Sequence, residues 1–337
     1  MLHEYARAES LLARIERLPQ GLSAPERPQM DFWRAELNGD IAGLLKAQQK
    51  LVATDSNSLA FELAGEAALF MLRPDLAVPS LERAGPAYLL MGGRVVRLHA
   101  DLLADSYHLA GAHDRELHAV LDQQAIISDP LYVRGRQLRA YAGLAQGGSA
   151  LAVADSMVRG SSDSSGAVAL RVERGAQEFR AHGDTGTASR LNAMARAWIA
   201  AHPSRTPTPN RQLWEGITFF AGGMLDSAAV RFASVARDTT RLDAAGYLAL
   251  TYAARGDRVR ARAAADSLGA LRRRWIFGEH TFWRAAIMGA IGERGLAVEL
   301  LQQAHREGQK MHTWHYDLAL AALHGDPDFE ALVRPRR

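Results

Sequence analysis

Glycine-centred turns recur along this chain with the same neighbours, and this repetition constrains the fold more than any other feature. Around Gly256, a small residue lies seven positions before, a large apolar residue four positions before and an alanine five positions after, namely Ala249, Tyr252 and Ala261. The small residue and the alanine recur around the glycines at 147, 183, 223 and 292, and all but the first also have the large apolar residue. Weaker copies at 39, 73 and 111 complete a series whose members lie 33 to 40 residues apart. Such a period is typical of repeat proteins.

The pattern predicts that each unit is a helical hairpin. Small residues at the −7 and +5 positions allow two helices to approach closely. The glycine supplies the left-handed residue that ends the first helix. An aspartate directly after it, as in Gly183-Asp184 and Gly256-Asp257, can cap the second helix. Because one hairpin leaves an apolar face uncovered, neighbouring hairpins must stack to complete a core. The sequence therefore predicts an all-α solenoid.

The repeated pattern resembles the tetratricopeptide repeat, a helix–turn–helix unit with small, aromatic, glycine and alanine positions at these offsets. The stretches AGYLALTYAARGDRVRARAAADSLGAL and LWEGITFFAGGMLDSAAVRFASVA are the most similar to it. The resemblance implies a right-handed superhelix of about eight degenerate hairpins with a C-terminal capping helix. The tail HYDLALAALHGDPDFEALVRPRR is similar to the ends of repeat regions in bacterial serine/threonine kinases and transcriptional regulators, which implies a signalling or regulatory setting.

Two features indicate how the array is divided and where it meets other proteins. The proline-rich segment 202–210 predicts a long inter-repeat loop between a block at 1–201 and a block at 211–337 that includes the cap. A boundary between two domains is the alternative. The first helix, from Tyr5 to Leu18, resembles the second half of a hairpin whose first half is absent. We therefore expect a preceding domain or a partner to cover its apolar face.

Composition narrows the classes of function. The chain has no cysteine, which excludes disulfides, thiolate metal sites and cysteine nucleophiles. The N-terminus lacks the apolar core of a signal peptide, and no apolar run approaches the ~20 residues that span a bilayer. We therefore expect a cytoplasmic protein without membrane insertion. Residues 130–337 carry 28 Arg and Lys against 19 Asp and Glu, so a nucleic-acid-binding regulator that uses this basic half is the alternative to protein recognition.

Candidate catalytic and metal-binding motifs are weak. His312 and His315 lie three residues apart near Asp317, and either His280 or His305 would have to supply a third zinc ligand. Packing between helices is the favoured explanation of these histidines. A looser set lies at 99, 108, 113 and 118, and no HExxH motif accompanies either set. Neither a glycine cradle for a nucleotide nor a nucleophile motif is present. We predict that the protein is not an enzyme and uses no cofactor or metal.

The resemblance also implies a binding surface. In tetratricopeptide arrays the first helix of each hairpin lines the concave side, and this rule points to positions 13, 10, 6 and 3 before each anchor. The candidate groove consists of Asp101, Asp105, His108, Arg134, Gln137, Tyr141, Glu173, Gln177, Arg180, Asn210 and Phe220. Polar residues beside aromatic ones suit an extended or helical peptide. We therefore expect a non-enzymatic scaffold or regulatory module that binds a protein segment in this groove.

Overall fold

The computed structural model describes residues 2–18, 21–23, 26–54, 57–89, 93–122, 124, 127, 129–160 and 165–336. The regular secondary structure of these residues is entirely helical. The helices are α1 (Leu2–Ile15), α2 (Glu26–Asn38), α3 (Ile41–Thr54), α4 (Ser58–Phe70), α5 (Pro74–Leu89), α6 (Gly93–Leu109), α7 (His113–Asp122), α8 (Pro130–Gly143), α9 (Gly147–Gly160), α10 (Ala167–Ala181), α11 (Thr185–Ala201), α12 (Pro209–Ala221), α13 (Leu225–Val235), α14 (Leu242–Ala254), α15 (Arg258–Gly269), α16 (Glu279–Ala290), α17 (Arg294–Arg306) and α18 (Pro327–Val333), with a 3-10 helix (Leu318–Leu323) before α18.

Helices α2 to α17 form eight consecutive hairpins within the described residues, each with a tight turn between its two helices. The single helix α1 precedes the first hairpin, and the 3-10 helix with α18 follows the last one as a cap. Successive hairpins pack against each other through their first helices, as α8 does against α10 and α10 against α12. The predicted all-α, tetratricopeptide-like solenoid with a C-terminal cap is therefore confirmed.

Each hairpin turn contains one residue in the left-handed region of backbone conformation. Six of these turn residues are glycines, at 39, 111, 183, 223, 256 and 292. The other two are Leu72, with φ 54°, and Ala145, with φ 56°. The anchors that the sequence suggested at Arg73 and Gly147 are therefore displaced by one and two residues. A glycine marks a turn in sequence because it adopts this conformation at little cost, but tertiary packing can hold another residue there.

The corrected turn position explains which alanines are buried in the fourth hairpin. Counted from Gly147, the +5 position is Ala152, which is exposed. Counted from Ala145, the +5 position is Ala150, which is fully buried. The corresponding alanines at 188, 228, 261 and 297 are buried as well. Small residues at this position therefore lie at the helix–helix contact, where a larger side chain would separate the helices.

The last hairpins return to the first ones, so that the array closes into a ring. Arg274 Nη2 donates to Glu9 Oε1 on α1 at 2.6 Å. The backbone amide of Arg336 donates to the carbonyl oxygen of Leu72 at 2.8 Å. Buried residues of α4 and α5 belong to the same apolar cluster as residues of α16, α17 and the cap. The two ends of the solenoid therefore share one core.

A segment that we call the strap, residues 309–317, connects α17 to the 3-10 helix across the interior of the ring. Lys310 Nζ lies 3.8 Å from the centroid of the Phe70 ring on α4. Met311 and Trp314 are buried, at 2% and 1% exposure. The strap therefore contacts the second hairpin as well as the last one, and it occupies part of the concave side.

Helix α1 leaves an apolar surface uncovered. Its Tyr5 ring lies 5.2 Å from the Phe277 ring in the segment before α16. On the other side, Leu11 and the neighbouring Trp33 of α2 are 45% and 42% exposed. Coverage of this surface by a preceding domain or a partner stays a prediction.

The proline-rich connection between the fifth and sixth hairpins spans residues 202–208, because α11 ends at Ala201 and α12 begins at Pro209. Thr208 caps α12 by accepting from the Arg211 amide. Across this connection, Asn192 Nδ2 on α11 donates to Thr218 O on α12 at 3.0 Å. The division into blocks at 1–201 and 211–337 stays a prediction. Among the described residues, no helix combines the length and apolar character required to cross a bilayer.

Candidate functional site

The inner side of the ring encloses a central cavity of about 730 Å3. The first helices of five consecutive hairpins and the strap form its wall. The lining residues are Arg97, Asp101 and Asp105 on α6; Tyr132, Gly135, Arg136 and Arg139 on α8; Leu170, Arg171, Arg174 and Gln177 on α10; Asn210, Leu213, Trp214 and Ile217 on α12; Arg241, Asp243 and Tyr247 at α14; and Thr313, Tyr316 and Asp317. The volume lies within the range of about 300–1,000 Å3 that is typical of ligand pockets.

Most of the charge in the cavity wall is internally paired. Arg136 bridges α8 to α6, contacting Asp101 and, at 2.5 Å, Asp105. Arg139 contacts Asp105 as well, and its Nε donates to Glu116 Oε1 at 2.6 Å. Burial opposes ionisation of Asp105, but Arg136 and Arg139 outweigh it and hold the pKa of this carboxyl well below its usual range. These pairs stabilise the wall and leave little charge for a ligand.

Two arginines on α10 are not neutralised in this way. Arg174 is exposed to the cavity and has no ion pair or hydrogen bond to any residue that the structure describes. Arg171 Nη2 lies 3.8 Å from Asp129 Oδ2, and its buried Nε has no hydrogen-bond partner in the described chain. Burial lowers the pKa of Arg171, and repulsion from Arg174 adds to this effect despite Asp129. An anion beside these guanidinium groups would compensate both charges.

The part of the cavity wall that α12 and α14 form includes apolar and aromatic side chains. Leu213 and Ile217 face it from α12 beside Trp214, and Tyr247 faces it from α14. The Tyr247 ring packs edge-on against Trp283, with ring centroids 5.0 Å apart. The cavity therefore offers a cationic side and an apolar side to the same occupant.

A histidine–glutamate cluster lies next to the cavity, at the end of α6. Its members are His108, His113, His182, His315, Glu116 and Glu178. His108 Nδ1 lies 2.8 Å from Glu116 Oε2, and His108 Nε2 lies 3.3 Å from Glu178 Oε2. The ring of His315, on the strap, stacks on that of His108 with centroids 5.3 Å apart. Four separate segments of the chain therefore meet at one point.

Electrostatic interactions in this cluster set the protonation of its members. Burial disfavours a charged His108, but the carboxylates of Glu178 and Glu116 outweigh it and raise the pKa of His108 to about 9. Burial lowers the pKa of His315 to about 4, in spite of the nearby Glu178 carboxylate. Arg139 and His108 overcome the burial of Glu116 and lower the pKa of its carboxyl. Without a bound cation, a charged His108 therefore lies between the carboxylates of Glu116 and Glu178.

The predicted groove residues are distributed over three environments. Asp101, Asp105, Gln177 and Asn210 line the cavity, whereas His108 belongs to the histidine–glutamate cluster. Five others contribute to packing or stay at the rim: Gln137 and Glu173 are buried, Tyr141 packs against a buried cluster, and Arg134 and Arg180 are partly exposed. The Phe220 ring packs 6.1 Å from Tyr247. Whether these residues bind a protein segment stays a prediction.

Two register details explain which lining residues the sequence analysis missed. The lining residues lie about 13, 9 or 10, and 6 positions before each turn residue, whereas position −3 does not reach the cavity. Counted from the true turn at Ala145, these offsets give Tyr132, Arg136 and Arg139 on α8. The offset −9 from Gly183 gives Arg174. Arginine occurs at position −9 in both of these hairpins, as Arg136 and Arg174, and this recurrence could have pointed to the cavity residues.

The suggested zinc set is not brought together. The strap forms turns rather than an α-helix, so His312 and His315 do not share a helical face. His312 packs against Phe70, with ring centroids 5.4 Å apart, whereas His315 faces Glu178. Nδ1 of His305 lies 3.1 Å from the Gln309 carbonyl oxygen. The sets that could hold a metal ion in the described residues involve His108 instead.

Comparison with known proteins shows similarity to solved structures. No protein-family model matches the chain, and no curated protein matches it. Among solved structures, a tetratricopeptide repeat protein from Parabacteroides merdae is similar over 88% of this chain and 99% of that chain, with 12% sequence identity and a TM-score of 0.41.

Proposed function

We propose that the chain is a non-enzymatic binding module that takes an acidic segment of a partner protein into its central cavity. The observation that carries the proposal is a pair of guanidinium groups on one face of α10: Arg174 has no ion pair within the described residues, and Arg171 has only the 3.8 Å contact to Asp129. Side chains three residues apart on a helix face the same way. They can therefore hold two carboxylates of one peptide, and charge-assisted hydrogen bonds to carboxylates are among the strongest that side chains form.

The apolar side of the cavity favours a protein segment over a simple anion. A peptide that places carboxylates against Arg174 can also place an apolar side chain against Trp214 and Ile217. Interfaces draw most of their affinity from a few such buried anchors. An amphipathic acidic segment is thus the partner chemistry that the cavity suits best.

The basic C-terminal half offers less support for the alternative, nucleic-acid binding. Several of its arginines are already paired with carboxylates, as Arg262 is with Glu293 at 2.7 Å and Arg255 is with Asp226. Arg260 lies 3.4 Å from the carboxylate of Asp257. A phosphate backbone needs a stripe of available cations, and these pairs interrupt such a stripe.

The proposal is tested by selection from a random-peptide display library on the immobilised full-length chain. The enriched peptides are synthesised with a fluorescent label, and their binding is measured by anisotropy against the parent, Arg174→Glu and Arg190→Glu. Arg190 is an exposed arginine on α11 outside the cavity, so the two variants change the net charge equally. We expect enrichment of Asp and Glu, affinity reduced by about tenfold to a hundredfold in Arg174→Glu, and parental affinity in Arg190→Glu.

Two outcomes would contradict the proposal. One is the enrichment of peptides without acidic residues; the other is an equal loss of affinity in both charge-reversal variants. A labelled single-stranded DNA is measured in parallel. Tighter binding of this DNA than of any selected peptide, with a steep loss on addition of salt, would favour the nucleic-acid alternative. A regulatory role in bacterial signalling and a cytoplasmic setting are further parts of the proposal, supported by the resemblance of the C-terminal tail.

A further inference from the structure

The histidine–glutamate cluster has the donor atoms of a transition-metal site. We propose that it binds one divalent first-row transition ion, with Zn2+ as the reference ion, through His108, Glu178 and His182. His315, on the strap, supplies the fourth ligand. Imidazole and carboxylate are the ligands of many protein zinc sites, and four of them complete a tetrahedral shell.

The donor atoms of His108, Glu178 and His182 lie at distances that suit such an ion, and His315 would rotate to join them. One donor atom from each of His108, Glu178 and His182 lies within 4.8 Å of the others. His108 Nε2 and Glu178 Oε2 are 3.3 Å apart. Two ligand atoms that are each about 2.0–2.1 Å from a tetrahedral ion lie about 3.3 Å from one another. Nε2 of His315 is 3.9 Å from the same carboxylate oxygen.

Glu178 points to a missing cation most directly. Its side chain is only 1% exposed, yet neither carboxylate oxygen accepts a hydrogen bond of normal geometry from the described residues. A buried carboxylate without hydrogen bonds is costly, and in the metal-free protein the charge of His108, 3.3 Å away, offsets this cost. A metal ion between Glu178 and the histidines would take the place of the proton on His108 Nε2 and bind the carboxylate directly.

Glu116, which contacts the ring nitrogen of His108 that does not face Glu178, is also suited to a metal site. Glu116 Oε2 accepts from His108 Nδ1 at 2.8 Å, so that Nε2, which faces Glu178 Oε2 at 3.3 Å, can exchange its proton for a metal ion. Arg139 Nε holds the other oxygen of Glu116 at 2.6 Å. A carboxylate that orients a histidine ligand in this way is a common outer shell of zinc sites. Glu116 is therefore a positioning residue.

The site has an entry route and a structural consequence. His182, which ends α10, is exposed, so an ion can reach the cluster from solvent. The ion would join α6 and α10, from neighbouring parts of the array, to the strap, which comes from the end of the chain. Metal binding would therefore fasten the strap inside the ring, independently of whether the cavity binds a peptide.

The test uses the tag-free full-length chain after dialysis against a chelator. Zn2+ and Co2+ are titrated calorimetrically, and the visible absorption of the Co2+ form reports coordination geometry. We expect one equivalent of bound metal, a four-coordinate Co2+ spectrum and a higher thermal midpoint. Affinity should fall at least about tenfold in His182→Asn and in His315→Asn.

His118→Asn is the matched control, because His118 is another exposed histidine, on α7, outside the cluster. It should bind metal like the parent. His182 is exposed, so its replacement should leave the fold intact, and circular dichroism of the chelated proteins verifies this. The proposal is overturned if the chelated parent binds no stoichiometric metal, or if His182→Asn and His315→Asn bind it as tightly as His118→Asn. It is also overturned if all three variants weaken binding equally.

Discussion

Glu173 shows how a single buried carboxyl can make the stability of this ring depend on pH. It is fully buried on α10 and accepts one hydrogen bond, from Asn192 Nδ2 at 2.6 Å. Its other oxygen has no partner within the described residues. Burial raises the pKa of Glu173 to about 7, in spite of the bond from Asn192. The folded protein therefore keeps a proton that the unfolded chain releases near pH 4.5.

Because this pKa is raised on folding, the free energy of unfolding should decrease as pH rises from about 4.5 to about 7. Glu173→Gln imitates the protonated carboxyl at every pH and removes this loss. We expect the variant to match the parent near pH 4.5 and to exceed its stability at pH 8 by about 3 kcal/mol. Thermal midpoints measured at both pH values provide the check.

Glu299→Gln, at an exposed position on α17, is the control for this prediction. This substitution removes the charge of an exposed carboxylate and leaves the buried carboxyl of Glu173 in place. A stability difference between parent and Glu173→Gln that stayed constant with pH would show that folding does not shift the pKa of the Glu173 carboxyl.

At the scale of the element, the strap depends on one aromatic anchor. Trp314 is 1% exposed, and its ring packs against that of Phe282 on α16 with centroids 5.9 Å apart. The strap has no regular helix of its own, so side-chain burial must hold it in place. Replacing a buried tryptophan by alanine removes this burial and typically costs about 3–5 kcal/mol.

We expect Trp314→Ala to release the strap while the central hairpins stay folded. Amide hydrogen exchange in 309–317 should accelerate by at least about tenfold, whereas exchange in α10 to α13 should stay at parental rates. Trp33→Ala is the control, because Trp33 on α2 is 42% exposed and does not touch the strap. Equal protection of the strap in both variants would mean that its backbone contacts suffice to hold it.

At the scale of the whole molecule, ring closure rests on a close approach between the first and last hairpins. A Cβ atom on Gly308 would lie 2.8 Å from the Cα of Gly39, in the turn of the first hairpin. Gly308 also has φ +105°, a backbone conformation that favours glycine. An added methyl group there must push the two ends of the array apart.

We expect Gly308→Ala to open the ring into a more extended solenoid with a larger radius of gyration in small-angle scattering. Gly325→Ala separates this effect from backbone strain, because Gly325 has φ +80° but no atom within 4 Å of the added carbon. Both variants should lose some stability, and only the first should expand. The same radius of gyration in both would mean that the ends adapt without separating.

The sequence was sufficient for the architecture because hairpins are encoded locally. The spacing of small and large apolar residues follows the helix period, and turn glycines mark most helix ends. In two turns, packing holds Leu72 or Ala145 in the left-handed conformation, and no glycine marks the turn residue. The sequence therefore placed these two turns one and two residues too late. An error of two residues on α8 was enough to miss Tyr132 and Arg139 among the cavity residues.

The sequence by itself therefore determined the helical hairpins, their number and the helices that face inward. Only the tertiary structure decided that the array closes, that the strap crosses its interior, and that His108, Glu178 and His315 meet. Each hairpin adds a rotation relative to the one before, and the sum over the array decides where its ends lie. No local pattern contains that sum, so contacts between residues hundreds of positions apart emerge only when the whole ring is folded.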